Sequence, residues 1–424
     1  MPKLNNSVTK ILGENWYAWL LPAAVIFFLP FGSLLYVPLV IMALVGIVTF
    51  FYRKIYKICW NDPCYRFLIF AFALIWIPMF VSLTDAVNLA HSANTTISVL
   101  PYLFVGFFII YYMDKRSVRE KLSVAVLFIT SFWCFDAIFQ LIFGVDLFGN
   151  TYISDTRLSG IFYPRYTLGL VLAVLLPVVL EILSKLAKNR IWIILAILVI
   201  SIQISVIVLS GSRNAVIMLV FDLAGWFFYT LYIRRNISWR GFILALIISI
   251  PVITVLTLQQ PSRLDTLVDV PDSSLKTLDR VSNHRLPLWE AAIRMSEDHW
   301  INGIGPRGFR HIYDNYRPAE GKYNHDYAHG STHPHFALLE IMVETGLIGL
   351  VSILILIFFL FRKMNLLADN VKLDVYPWFL GVVIAIVPNI AKAFYSTFWI
   401  SIVLCMLFVG IANIKGSYSK TSRL

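Results

Sequence analysis

Residues 191–233 read IWIILAILVISIQISVIVLSGSRNAVIMLVFDLAGWFFYTLYI. Arg213 and Asp222 are the only formal charges in the stretch. A helical apolar run of about 20 residues matches the hydrocarbon core of a bilayer. Two such runs meet here at Gly211-Ser212-Arg213 with almost no loop between them. Runs of the same kind recur along the chain, so the fold class is all-α, a polytopic integral membrane protein. A β-barrel would alternate over segments of about 10 residues, and that pattern is absent.

Composition agrees. Of the 424 residues, 59% are hydrophobic and 14% charged, with a mean hydropathy of +0.76. Soluble domains are about half apolar and a quarter charged. Twelve apolar spans are expected, at 17–34, 36–52, 66–83, 97–113, 122–143, 159–182, 191–210, 213–233, 241–259, 336–361, 375–391 and 394–414. The first run has no small-residue cleavage site and leads into a second, so no cleavable signal peptide is expected. Cys59, Cys64, Cys134 and Cys405 all lie outside the one long polar segment, which therefore has no disulfide.

The net charge of +11 suggests nucleic acid until its distribution is considered. Most Lys and Arg sit in short clusters on alternate connections, such as Arg53-Lys54, Lys115-Arg116, Arg234-Arg235 and Arg362-Lys363. That is a topology signal, and the crowded side is cytoplasmic. Both termini are then expected inside, and no nucleic-acid partner is expected. The opposite short connections hold only Arg157, Arg165, Arg213 and Lys392. Three regions follow: spans one to nine over 1–259, an outer loop or cap over 260–335, and spans ten to twelve over 336–424.

The loop gathers the titratable groups. Every histidine but His91 lies between His284 and His335. Leu286 to Met295 has apolar residues at helical spacing with a proline near its start, so a helix is expected there. The loop ends in Thr332-His333-Pro334-His335. Proline suits a first helical turn, which predicts that span ten begins here with His335 in its first turn. The partial positive charge of a helix N-terminus favours neutral imidazole, the form a general base needs. The alternative is a pair of interfacial histidines hydrogen-bonded to water.

Arg213 stands within an almost continuous apolar stretch, where an ionisable group is expensive and usually functional. Arg285 opens the loop helix, and Arg165 follows Phe162-Tyr163-Pro164. Guanidinium forks suit phosphate oxygens, so arginines from distant segments could form a pyrophosphate clamp. Separate ion pairs are the alternative. Glu340 and Glu344 share one face of span ten and could orient a histidine or pair with Arg213. For Asp136, Asp222 and Lys392, packing pairs explain the residues as well as function does. His325, His329 and His333 recur at zinc-like spacing beside Asp326, but Gly330, Ser331 and Pro334 interrupt the helix such a site needs. No metal and no other cofactor is expected.

The runs SRNA around Arg213, RLPLWEAA from Arg285, GIGPRGF from Gly303 and HPHFALLEIMVETGLIGL from His333 resemble the superfamily of O-antigen ligases and O-antigen polymerases. The similarity covers roughly residues 157–355. These are bacterial membrane glycosyltransferases. The resemblance implies an enzyme of the inner membrane that moves a glycan from undecaprenyl pyrophosphate to the lipid A-core oligosaccharide on the periplasmic face. It implies His335 as the catalytic base and Arg213 and Arg285 as pyrophosphate contacts. His333, Arg165 and Arg307 complete the candidate substrate contacts, with Glu340 and Glu344 in support. The ligases usually carry H-x-H-N, and this chain has Phe336 in place of the asparagine. The polymerases and the protein O-oligosaccharyltransferases share the donor and differ in the acceptor. A lipid-linked glycan transporter would instead concentrate polar groups at mid-membrane in repeated halves, which this sequence lacks.

Overall fold

The computed structural model describes residues 16–152, 157–231, 284–319, 331–367 and 369–421, together with 275, 278, 279, 282, 322 and 323. Every named element among them is helical. The principal helices are α1 (Tyr17–Phe27), α2 (Tyr36–Tyr52), α3 (Pro63–Val81), α4 (Leu89–Val99), α5 (Tyr102–Tyr112), α6 (Arg116–Phe143) and α7 (Leu168–Leu186). They continue as α8 (Arg190–Leu209), α9 (Arg213–Tyr229), α10 (Leu286–Asp298), α11 (Ala337–Leu366), α12 (Asp369–Ile386) and α13 (Thr397–Thr421).

Eight helical stretches among the described residues are long and apolar enough to cross a bilayer, and two shorter apolar helices accompany them. The expected count of twelve is not reached. The first expected span stops at Phe27, because Pro30 and Gly32 turn the chain through a short 3-10 segment. The eleventh ends at Ile386, just before Pro388 and Asn389. The eighth, α9, has 17 residues. The sixth begins at Leu168, nine residues later than expected, since 157–167 form turns and a short 3-10 helix. The ninth, 241–259, lies outside the described residues.

Burial sorts the helices into a centre and a rim. In α7 and α13 the apolar window is 89% buried, against 39% in α2, α6 and α8. Rim helices turn residues such as Val40, Leu44, Phe128 and Ile194 outward. Such outward faces suit lipid, where helices also satisfy their own backbone. α12 lies between α7 and α13 and contacts both. The basic connections meet at one end of the bundle. There Asp374 takes both Lys185 (2.7 Å) and Arg116 (3.5 Å), and Lys415 and Lys363 lie over the rings of Tyr65 and Phe67. The described part of 284–335 sits at the other end.

That part is joined to the bundle through a break in α11. Gly346 adopts φ +64°, a left-handed conformation that interrupts the helical ladder. The freed N–H groups of Leu347 and Ile348 donate to the carbonyls of Trp300 and Ile301. The freed carbonyls of Val343 and Glu344 accept from Ile304 (2.9 Å) and Gly305 (3.0 Å). Residues 300–305 are thus stitched into the helix. A small apolar core of Leu288, Ala292, Met295, Ile304, Phe309 and Val343 seals α10 against α11. The expected helix of 286–295 is present and runs to Asp298.

Candidate active site

The approach to α11 differs from the sequence expectation. The helix starts at Ala337 with Phe336 as its N-cap, not at Pro334, so His335 lies outside the first turn. The cause is a tertiary contact: the Ala337 N–H donates to the Asn389 carbonyl at 2.8 Å. Phe336 has no side-chain acceptor to cap the helix and instead places its ring 6.3 Å from Trp289 of α10. His335 is left at φ +55°. A non-glycine residue in this region costs of order 1–3 kcal/mol and persists where surrounding structure holds it, typically at functional sites. Arg307 (φ +63°) and His284 (φ +60°) share the conformation, and Lys54 is the remaining case among the described residues.

Two imidazoles converge on one backbone oxygen. His335 Nδ1 lies 3.1 Å from the Ala391 carbonyl, and His333 Nε2 lies 3.3 Å from the same atom. The ring centroids are 3.9 Å apart. A carbonyl only accepts, so each nitrogen facing it must carry a proton. For His335 this selects the Nδ1–H tautomer, with the lone pair on Nε2. His333 takes the Nε2–H form, and its Nδ1 can accept from the Thr332 hydroxyl at 2.8 Å. Burial, then the Arg285 charge, push His335 down to about 4. His333 is pushed further, by burial first and then by His335. Both rings are neutral near pH 7.

The carbonyl is presented by a turn built on Asn389, which is fully buried. Its Oδ1 accepts from the N–H groups of Ala391 (3.1 Å) and Lys392 (2.9 Å), and its amide donates to the Lys392 carbonyl. The neighbouring Ile390 N–H donates to Asn214 Oδ1 at 3.2 Å. Arg213, next to Asn214, therefore stands at the N-terminus of α9 beside this turn.

Cations surround the histidines. Arg285 acts electrostatically on His335, Arg307 on His333, and Lys392 on both. Arg165 acts on Lys392, whose proton affinity is lowered chiefly by burial. Arg165, Arg307, Lys392, Thr332 and His333 line one polar cavity of about 520 Å³. Arg213 and Arg285 are not part of that lining; Arg285 acts on His335, and Arg213 stands at the N-terminus of α9. The cavity thus groups Arg165, Arg307 and Lys392 with His333, and leaves Arg213 and Arg285 outside its lining.

Glu340 and Glu344 are both fully buried, but among the described residues neither is bonded to a histidine or to Arg213. Glu340 accepts from the Phe394 N–H at 3.0 Å, and Glu344 from the Arg307 N–H at 2.6 Å. They anchor the two loops that carry Lys392 and Arg307. Sequence reasoning left Lys392 open between packing and function, and passed over Asn389. A signal for the first existed: Lys392 is one of the few cations on the connections that the positive-inside pattern leaves nearly empty. His325, Asp326 and His329, which carry the zinc-like spacing, lie outside the described residues. Among the described residues no group of three or more His, Cys, Asp or Glu is placed to hold an ion.

A family model described as O-antigen ligase matches residues 196–354. That stretch of the chain is similar to the O-antigen ligases. A comparison with curated proteins finds no match. The matched stretch runs from α8 through the Gly346 break. It contains Arg213, Arg285, Arg307, both histidines and both glutamates. Arg165, Asn389 and Lys392 come from outside it, so elements flanking the matched stretch contribute to the candidate site.

Proposed function

We propose that this membrane protein is a metal-independent, inverting glycosyltransferase, an O-antigen ligase that transfers glycan from undecaprenyl pyrophosphate to the lipid A-core oligosaccharide. In this reading the end bearing the histidines faces the periplasm, the protein lies in the inner membrane, and both termini are cytoplasmic. The observation that carries it is the pinning of His335 Nδ1 by the Ala391 carbonyl, which leaves Nε2 as a base among cations.

His335 Nε2 takes the proton of the acceptor hydroxyl as that oxygen attacks the anomeric carbon. The bond from this carbon to the pyrophosphate oxygen breaks, and polyprenyl pyrophosphate leaves with the electron pair. Attack opposite the leaving group inverts the configuration. Arg213 and Arg285, together with Arg165, Arg307 and Lys392, neutralise the leaving group. His333 positions the acceptor. The test is deletion of the gene followed by a lipopolysaccharide gel. Loss of the whole ladder with accumulation of lipid-linked polymer is expected. A surviving single-repeat band would make the protein a polymerase. An intact ladder with lost protein glycosylation would move the acceptor to a Ser or Thr.

A further inference from the structure

A second cavity, of about 630 Å³, adjoins the polar one and shares Tyr36, Arg307 and Ser396 with it. Its walls are single faces of two helical stretches. Leu39, Ala43 and Ile47 recur at helical spacing on α2, and Thr95, Ser98 and Val105 follow on α4 and α5. At 1.5 Å per residue, the α2 wall from Tyr36 to Ile47 is about 16 Å long. That is about half of a bilayer's hydrocarbon core. The stated volume over that length gives about 40 Å² in section, a slot for one chain. Where the slot ends, α2 and α5 touch: a Cβ on Gly46 would run into the Phe104 carbonyl. Val40 and Leu44, also in the lining, are more than half exposed, so the slot opens sideways toward lipid.

The mouth of the slot is cationic. Arg307 and Arg310 both line it. Arg307 Nη1 and Arg310 Nε are buried without a hydrogen-bond partner among the described residues. Buried guanidinium donors are rarely left so, and a phosphate oxygen is their natural acceptor. His91 lines the same mouth, with its ring edge-on to His311 at 5.2 Å. Glu340 and Glu344 stand behind the arginines and are engaged by backbone N–H groups.

We propose that this slot binds the isoprenoid chain of a polyprenyl phosphate, with Arg307 and Arg310 on its phosphate. The proposal rests on the glycosyltransferase reading for the identity of the lipid. It adds where the chain lies and gives Arg310 a role that the sequence motifs do not. A single chain with an anionic head entering sideways fits the slot's section, its length and its charged end. Arg307, common to both cavities, would then hand the pyrophosphate to the polar cavity.

The test measures binding of two probes to the full chain in nanodiscs: a long-chain polyprenyl monophosphate and geranyl monophosphate. Val40→Trp, on the open side, and Ala43→Phe, on the buried side, fill the slot, and thermal melts confirm that each is folded. The long-chain probe should bind at least about tenfold more weakly to both, while geranyl monophosphate changes by less than about twofold. Arg310→Ala should weaken both probes. Unchanged long-chain binding in a folded slot variant would overturn the proposal. So would equal competition by phosphatidylglycerol, which would make the slot a general lipid groove. Binding is read without turnover, so the two readings separate. Binding as expected with no glycan transfer in any assay would sink the enzyme reading alone. Normal transfer by both slot variants at limiting donor would sink the slot alone.

Discussion

The acid limb of activity should lie far below the usual histidine range. His335 is held down to about 4, by burial first and then by Arg285, with the hydrogen bond to Ala391 opposing them. The fold therefore favours the neutral ring. At pH 5.5 a free imidazole of pKa about 6.5 is roughly 10% neutral, while one near 4 is more than about 95% neutral. Activity that depends on this base should stay nearly flat from pH 7 to 5.5, where an unperturbed histidine would lose about tenfold. The assay is kcat/KM against pH at low donor, which reports the free enzyme. Arg285→Gln removes a like charge and should move the limb upward by up to about one unit, whatever it does to the absolute rate. Stability follows the same sign. Because the folded value is depressed, the contribution is whole above pH 6.5 and is lost as pH falls toward 4, by at most about 3 kcal/mol. A limb centred near 6.5 in the native protein, or one that stays in place in Arg285→Gln, would refute the placement of a buried, Arg285-flanked base.

Replacing His335 by Ala should lower transfer by about 10²–10⁴-fold with donor binding kept, and His333→Ala should cost less; the reverse order in single-turnover assays would exchange their roles. Asn389→Ala leaves two part-buried amides without an acceptor, at up to about 1–3 kcal/mol each, so kcat should fall with the melting temperature, whereas Asn389→Asp, which keeps the acceptor, should lose less of both. Gly346→Ala forces a Cβ into the Ile301 carbonyl at positive φ, so little folded protein should be recovered by size-exclusion chromatography. Exhaustive EDTA treatment should leave transfer intact, and a loss restored only by Zn²⁺ would put His325, His329 and His333 back as ligands.

The all-helical membrane fold class was legible because hydrophobic periodicity acts through side chains, although the expected count of twelve spans was not reached. What stayed hidden acts through backbone. Ala391 contributes a carbonyl, for which its own side chain gives no sign. Pro334 is compatible with a first helical turn, but the Asn389 carbonyl takes the Ala337 N–H and moves the start of α11 past His335. The four-residue spacing of Glu340 and Glu344 correctly placed them on one face. It could not name their partners, which are loop amides 54 and 37 residues away in sequence. Arg213 and Arg285 were read as one clamp with Arg165. The cavity instead groups Arg165 with Arg307 and Lys392, since loop closure decides which cations meet.

The break at Gly346 has a mechanical consequence. A helix that loses its own hydrogen bonds for one turn is normally a hinge. Here another segment's backbone fills the gap from both sides, so bending α11 at that turn would require unzipping residues 300–305 at the same time. The membrane helix and the Arg307 loop therefore open together or not at all. Amides of Ile304, Gly305, Leu347 and Ile348 form one cooperative unit, and a tilt of α11 in the bilayer carries Arg307 with it as a lever carries its tip.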